Sequence, residues 1–177
     1  MSKEHAAFFY GTLMHPKILK AVIKNEGAHL KVCPAVLLDY TRHEVKGCDY
    51  PGIIPFDKGV RIINKPLTRE ERSVRGTLVT GLTDEDIVYL DRFESDVGIH
   101  EKDSASASTW SILGIIHRCR CTRAGTPPPL PSFAESLDAI EAETYVYGDE
   151  RDLEANLWSF EDFVKNNAWK WYGEVTK

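Results

Sequence analysis

The segment FFYGTLMHP, residues 8–16, could bind an anion through its backbone. Its aromatic residues favour a half-buried strand. Gly11 ends that strand because glycine adopts backbone angles that other residues avoid, and Pro16 suits the first turn of a following helix. A tight loop between a strand and a helix exposes N–H groups that can bind an anion or a developing oxyanion. A simple turn of the chain is the alternative.

A second candidate is a carboxylate that stands where helix stability does not favour it. Glu94 lies near the end of LTDEDIVYLDRFES (82–95), a predicted helix that begins after Thr83 and has an acidic first turn. The C-terminal end of a helix is electronegative, so a negative charge there is unfavourable. Such rules are broken most often at functional sites. A solvated glutamate, or one paired with Arg92 or Arg118, is the alternative.

The sequence contains no other recognisable catalytic motif. It lacks a serine-nucleophile elbow, a Walker loop, a dinucleotide-binding glycine motif and a metalloprotease helix. His15, His43 and His117 are candidate general bases, but no spacing connects any two of them. The Cys119-x-Cys121 pair has neither a second cysteine pair nor clustered histidines to complete a zinc site, so we expect no metal.

The chain around these residues alternates short strands with a few helices. Apolar periodicity predicts further helices over 16–27, capped by Gly27, and over 159–173, capped by Ser159. Segments rich in β-branched and aromatic residues predict strands at 8–10, 31–45, 73–82, 110–122 and 142–148. Clusters of glycine and proline predict a loop around a short Ile53–Ile54 strand at 47–59, and a second loop at 124–132.

This pattern of elements favours one fold class. Strands outnumber helices and only some connections are helical, which favours an α+β fold with a mixed, largely antiparallel sheet over a doubly wound parallel one. Glycine and proline near several strand ends indicate a strongly curled sheet or a small β-barrel. We expect one domain, residues 1–177, which is long enough to bury a core without metal or disulfides.

Composition restricts the expected partners. The net charge is −5 at pH 7, and no cluster of Lys and Arg resembles a nucleic-acid footprint. No apolar run approaches the roughly 20 residues of a membrane span, and the apolar run before Gly11 is too short for a signal-peptide core. We therefore expect a cytoplasmic protein that binds a small molecule rather than nucleic acid or a membrane. Its oligomeric state is not indicated.

Four segments of the sequence resemble those of a known family. They are FFYGTL, GCDYPGIIP, VRGTLVTGLTDEDIVYLDRFE and the terminal TYVYGDE with WSFEDFV. In this order they resemble the gamma-glutamyl cyclotransferase-like superfamily, most closely its plant and fungal avirulence-induced-gene subgroup. The resemblance covers residues 6–94 and 142–172, and its most specific parts are YGTL (10–13) and LDRFE (90–94).

The resemblance implies a fold, a reaction and a set of site residues. The fold is a small closed or nearly closed mixed β-barrel with helices packed around it. The free α-amine of a γ-glutamyl group attacks its own γ-carbonyl and releases 5-oxoproline and an amine or amino acid. Neither a cofactor nor a covalent enzyme intermediate is required. Glu94 is the implied acid–base carboxylate, and across the cavity the implied substrate-binding amides are those of Tyr10, Gly11, Thr12 and Leu13.

The implied proton transfer restricts the surroundings of Glu94. An ordinary glutamate has a pKa near ~4.3 and an α-amine one near ~8, so the transfer would be uphill by roughly 5 kcal/mol. We therefore predict that Glu94 is largely buried and that its pKa is raised, with Phe93 and other aromatic residues excluding water.

The resemblance weakens after Glu94. Family members follow this glutamate with a Tyr-x-Arg segment that opens the next strand, whereas no tyrosine occurs here before Tyr145. Residues 116–118 are predicted at the equivalent strand start, which leaves insertions or mobile loops near 95–109 and 123–137. Candidate tyrosines for the substrate cavity, with core packing as the alternative, are Tyr50, Tyr145 and Tyr147.

Three functions remain open on this reasoning. The first is a cyclotransferase that acts on a γ-glutamyl amine or peptide. The second uses the same scaffold and Glu94 for another cyclisation, elimination or isomerisation of a specialised metabolite, since one fold supports many chemistries. The third is a binding module without catalysis. An aromatic cavity without cationic or amide anchors would favour the second, and a filled cavity or a salt-bridged Glu94 would favour the third.

Overall fold

The structure, a computed structural model, describes residues 4–97, 109–118 and 139–175. Its strands and helices in chain order are β1 (His5–Phe9), α1 (Pro16–Ile23), β2 (Lys31–Leu38), β3 (Tyr40–Val45), β4 (Pro51–Pro55), α2 (Phe56–Ile63), β5 (Ser73–Leu82), α3 (Asp84–Val97), β6 (Thr109–Arg118), β7 (Ala139–Val146), β8 (Leu153–Leu157), α4 (Phe160–Asn166) and α5 (Ala168–Val175). Single 3-10 turns lie at Thr12–Met14 and Glu150–Asp152.

Five strands form one curled sheet in the order β1-β5-β2-β6-β7. Its pairs are antiparallel except for β1 with β7, where Ala7 pairs with Glu143 in parallel and brings the two ends of the sheet together. The hydroxyl of Thr144 fastens the same seam by donating to the carbonyl oxygen of Phe8 at 2.6 Å. The predicted α+β fold with a mixed, largely antiparallel, curled sheet is confirmed.

A second sheet packs against the first. It has the order β4-β3-β8 and is antiparallel throughout. Ile53 of β4 is fully buried against Phe8 and Leu78 of the curled sheet. The backbone N–H of Tyr147 also donates to the carbonyl oxygen of Ile53 at 2.9 Å. These contacts hold the start of β4 beside the end of β1.

Four helices, α1, α3, α4 and α5, cover the other face of β1 and β5. The apolar side of α1 is buried as its spacing predicts, through Ile18, Leu19, Val22 and Ile23. These side chains share one core with Leu90 of α3 and with residues of β5, α4 and α5. None of the helices in the described ranges combines the length and apolar character that a membrane span requires.

Two helix boundaries differ from the prediction. α1 ends at Ile23, because Lys24 takes the left-handed conformation (φ 58°) that terminates the helix, three residues before Gly27. The predicted helix 159–173 is two helices, which meet at Asn167. Asparagine has a low helix propensity because its side chain competes for backbone hydrogen bonds. Ser159 is the predicted cap, and its hydroxyl accepts from the Asp162 N–H at 3.2 Å.

The predicted loop 47–59 contains more structure than expected. The short strand predicted at Ile53–Ile54 is β4, which extends over Pro51–Pro55, and the segment also includes the first half of α2, which was not predicted. Gly59 lets α2 pack on β3, since a Cβ atom there would overlap the Thr41 side chain. Local composition does not reveal this contact, because the glycine and proline residues that suggest a loop here serve close packing instead.

Some predictions fall on the rest of the chain. Residues 98–108 of the first expected insertion, all of 123–137 and the loop 124–132 lie outside the described residues. Residues 95–97 belong to α3, and residues 116–118 end β6 rather than start it, which corrects the placement expected for them.

The N-terminus of α3 is held by a buried carboxylate. Asp86 is 1% exposed and accepts hydrogen bonds from the backbone and hydroxyl of Thr83, from Asn25 and from His29, at 2.8 to 2.9 Å. Burial alone raises the pKa of this carboxyl, but the hydrogen bonds outweigh it and leave the pKa below its usual value. Asp86 therefore fixes α3 against the segment that joins α1 to β2.

We predict that Asp86→Ala lowers the free energy of unfolding by about 2 kcal/mol at pH 7, because several buried donors lose their acceptor. The pKa of Asp86 is depressed in the folded state, so its contribution is present above pH 4 and is lost as the pH falls further. Urea unfolding at pH 7 and pH 3 measures this difference. The exposed neighbour Asp84→Ala is the control, and an equal loss for both variants would contradict the assignment.

Candidate functional site

One cleft collects most of the candidate residues. It encloses about 400 Å³ of empty space, open solvent included, and lies between β1, the start of β4, α3 and β7. Its described lining residues are Phe8, Phe9, Tyr10, Gly11, Thr12, Leu13, Tyr50, Pro51, Phe93, Glu94 and Tyr145. Seven of the eight site residues predicted from the sequence are among them.

The end of β1 supplies the polar backbone of the cleft. Residues 10–13 leave the strand and enter the 3-10 turn, in which Met14 and His15 donate the first hydrogen bonds, to the carbonyl oxygens of Gly11 and Thr12. The N–H groups that precede the bonded part of a helical turn have no partner within it. The amides of residues 11–13 are therefore available for an anionic group in the cleft.

Gly11 is required for a different reason from the one expected. Its φ is −126°, so the backbone does not need the left-handed conformation reserved for glycine. A Cβ atom on Gly11 would instead lie 3.0 Å from the Pro51 ring, closer than ordinary van der Waals contact. Glycine at this position therefore allows the turn to approach β4 closely and leaves the cleft open.

A buried arginine anchors the turn from behind. The Nη1 atom of Arg42 on β3 donates to the carbonyl oxygen of Tyr10 at 2.9 Å and to that of Arg75 at 3.1 Å. Its guanidinium lies over the Trp158 ring, 5.0 Å from the centroid. Burial lowers the pKa of Arg42 to about 10, which leaves it charged at neutral pH. The sequence places Arg42 within the predicted strand 31–45 and gives no sign of this contact with Tyr10.

Glu94 reaches the cleft from α3. The helix continues to Val97, so Glu94 lies in its last turn rather than at its final residue. Fully buried Leu90 fixes this part of the helix, and Phe93 packs against Trp171 with ring centroids 6.0 Å apart. The Glu94 side chain is partly buried, with its remaining exposure toward the cleft.

The electrostatic surroundings of Glu94 suit a proton carrier. Burial raises the pKa of its carboxyl from 4.5 to about 7. No Lys, Arg or His forms an ion pair with it among the side chains that the structure describes, so the alternative pairing with Arg92 is absent there, and the Arg118 side chain lies outside that set. A carboxyl with such a pKa exists in both protonation states near neutral pH.

Three tyrosines surround the glutamate. Burial, together with the charge of Glu94, raises the pKa of Tyr10, Tyr50 and Tyr145 above the usual value, so all three phenols are neutral. The hydroxyl of Tyr145 donates to Oδ1 of Asp91 at 3.0 Å. Tyr147 does not line the cleft: its ring packs closely against Gly52 in the core of the second sheet. Asp91 belongs to the LDRFE motif, but the sequence alone indicated no role for it.

The chain matches, over residues 7–169, the family described as gamma-glutamyl cyclotransferase, AIG2-like. It belongs to this family. Among curated AIG2-like relatives, AIG2-like protein C of Arabidopsis thaliana is 30% identical over 161 residues, which cover 90% of this chain and 69% of that protein. Protein AIG2 C of the same plant is 31% identical over 94 residues, which cover 53% of this chain. The chain matches about half the length of Protein AIG2 C, 47%.

Solved structures agree with the AIG2-like assignment at the level of the fold. A solution structure of an Arabidopsis thaliana protein has a TM-score of 0.55 and 20% identity, and the match covers 99% of this chain and 83% of that one. A crystal structure of a gamma-glutamyl cyclotransferase specific to glutathione from yeast has a TM-score of 0.53 and 14% identity, with 99% and 86% covered.

We predict that Glu94→Gln stabilises the protein at pH 8 but not at pH 4. The folded-state pKa is raised, so ionisation destabilises the fold increasingly as the pH rises from 4.5 through about 7. The full effect at pH 8 is roughly 3 kcal/mol. Urea unfolding at both pH values measures it, with the exposed Glu85→Gln on the same helix as control. A Glu94→Gln variant that is no more stable at pH 8 than wild type would contradict a desolvated carboxyl.

Proposed function

We propose that this AIG2-like protein is a γ-glutamyl cyclotransferase, in which Glu94 moves protons while the α-amine of a γ-glutamyl substrate attacks its own γ-carbonyl. The observation that carries the proposal is the position of Glu94, with its raised pKa, in the same cleft as the amides of residues 11–13. Membership of the family supports the same chemistry. The products are 5-oxoproline and the released amine or amino acid.

In this proposal the two sides of the cleft have different tasks. The amides of Gly11, Thr12 and Leu13 bind the α-carboxylate or the polarised γ-carbonyl oxygen, since backbone N–H groups of a turn suit anions. Arg42 keeps these amides in place through the carbonyl oxygen of Tyr10. The aromatic walls exclude water from the reacting carbon, which strengthens each electrostatic contact.

The proton balance requires one group that both accepts and donates. The attacking nitrogen begins as an ammonium and ends as a lactam N–H, so it loses two protons. The leaving nitrogen begins as an amide N–H and ends as an ammonium, so it gains two. The new C–N bond forms as the old one breaks, and Glu94 carries each proton in turn from one nitrogen to the other.

The raised pKa reduces the energetic cost of this transfer. With Glu94 near 7 and an α-amine near ~8, the first proton moves uphill by roughly 1.4 kcal/mol instead of roughly 5. A higher pKa would leave Glu94 protonated at neutral pH and unable to act as a base. A value close to neutrality serves both directions of transfer.

A second function is favoured by one observation. Among the described residues that line the cleft there is no Lys, Arg or His, and aromatic rings form most of the wall. A substrate without an α-carboxylate, on which Glu94 catalyses another cyclisation, elimination or isomerisation, would suit such a wall. The free amides of the turn are the reason to rank the γ-glutamyl substrate first.

We predict that wild-type protein releases 5-oxoproline from at least one member of a panel of γ-glutamyl amino acids, γ-glutamyl amines and glutathione. Glu94→Gln should reduce kcat at least 100-fold, because the side chain keeps its size but no longer accepts a proton. Glu85→Gln, on the exposed side of α3, is the control and should retain activity. No release from any substrate would favour the second function instead.

The pH dependence of kcat/KM should follow the ionisation of Glu94. Below an apparent pKa of about 7 the rate should fall tenfold per pH unit, because the protonated carboxyl cannot take a proton from the ammonium. Initial rates between pH 4.5 and 9 with the best substrate measure this limb. A midpoint near 4.5 would mean that a solvated carboxylate, not a buried one, controls the reaction.

A further inference from the structure

The phenol of Tyr145 is oriented by a second carboxylate at the edge of the cleft. Tyr145 is 4% exposed, lines the cleft, and donates its hydroxyl proton to Oδ1 of Asp91 at 3.0 Å. A phenol has one proton to donate and can accept with its oxygen. While Asp91 holds the proton, the oxygen of Tyr145 can act toward a ligand only as an acceptor.

The same two elements bring Tyr145 close to Glu94. Asp91 and Glu94 are three residues apart on α3, which places them on one face of the helix. Burial, Glu94 and Asp91 together raise the pKa of Tyr145, so the phenol neither ionises nor serves as a base. The charge of Asp91 polarises the O–H bond and makes the oxygen a stronger acceptor.

The other tyrosines of the cleft have different partners. The hydroxyl of Tyr10 is hydrogen-bonded with the backbone of Ile53, and that of Tyr50 with the side chain of Cys48. The described hydrogen bond of Tyr145 is instead to a carboxylate, which takes its proton. The cleft is therefore lined by two residues that can offer oxygen acceptors, Glu94 through its carboxylate and Tyr145 through its phenol oxygen.

We infer that Tyr145, oriented by Asp91, accepts a hydrogen bond from the α-ammonium of the substrate beside Glu94. This inference rests on the proposed function, which supplies the ammonium. An ammonium has three N–H donors. Glu94 removes one proton, and Tyr145 holds a second N–H, which fixes the direction in which the nitrogen lone pair forms. Tyr145 is therefore a substrate-contacting residue, and Asp91 is a positioning residue.

Two non-reacting ligands test the inference without turnover. L-Glutamate carries the α-ammonium, and glutarate has the same carbon chain without it. At pH 8 wild type should bind L-glutamate more tightly than glutarate, as measured by chemical-shift titration. Tyr145→Phe should reduce this preference roughly tenfold or more, the loss expected for a hydrogen bond to a charged group. Tyr89→Phe, which removes another tyrosine–carboxylate contact of α3, that with Glu85, should retain it.

A pair of substitutions at Asp91 separates orientation from charge. Asp91→Asn keeps an oxygen that accepts the phenol proton, and most of the preference should remain. Asp91→Leu releases that proton, which then turns to Glu94, and the preference should fall as far as in Tyr145→Phe. The double variant Asp91→Leu/Tyr145→Phe should lose no more of the preference for L-glutamate than Tyr145→Phe alone. If Asp91 has only a structural role, its substitution should instead weaken the binding of L-glutamate and of glutarate equally. Thermal melts identify any variant that fails to fold.

The possible outcomes separate this inference from the proposed function. Three results would each overturn the inference. They are an equal loss of affinity for both ligands in Tyr145→Phe, an unchanged preference for L-glutamate in that variant, and no preference for L-glutamate in wild type. If the preference depends on Tyr145 but no substrate yields 5-oxoproline, the ammonium site remains and the reaction is wrong. If 5-oxoproline is released and the preference survives Tyr145→Phe, only the inference fails.

Discussion

The structure keeps one carboxylate partly out of water with no cation beside it among the described side chains. Burial raises the pKa of Glu94 to about 7, so the ionised form destabilises the fold by roughly 3 kcal/mol at basic pH. The net stability of a domain is only about 5–15 kcal/mol. Such a group persists where its helix is held firmly, and here buried Asp86 fixes the start of α3 while Leu90 fixes the turn before Glu94.

The cleft is assembled from segments that are distant in sequence. The seam between β1 and β7 brings Tyr145 beside the turn that follows β1, and Thr144 fastens this seam through the carbonyl oxygen of Phe8. Arg42 reaches the same turn from β3. The turn is therefore held both by strand pairing and by a buried cation, which keeps its amides in a fixed direction. Preorganised donors of this kind need no rearrangement when negative charge develops.

The sequence predicted those parts of this arrangement that depend on residues close together in the chain. Alternation predicted β5, and the cap and acidic first turn predicted α3. The YGTL and LDRFE motifs predicted five of the cleft-lining residues, and Tyr50 and Tyr145 were predicted as candidate tyrosines of the cavity. The contacts of Arg42 with Tyr10 and of Tyr145 with Asp91 span 32 and 54 residues, so no local pattern encodes them. Gly59 resembled a loop residue for the same reason, because the side chain that it packs against, Thr41, is distant in sequence. The single helix predicted over 159–173 was wrong because the break at Asn167 does not interrupt the apolar spacing.

The most direct test of the account is the ionisation of Glu94 itself. The carboxyl carbon of Glu94 can be followed by ¹³C NMR between pH 3 and 10 in selectively labelled wild-type protein without ligand, with assignment from the spectrum of Glu94→Gln. The account predicts a midpoint of about 7, well above those of exposed glutamates. A midpoint near 4.5 would contradict it, because an ordinary carboxylate would leave the proton transfer from an ammonium steeply uphill.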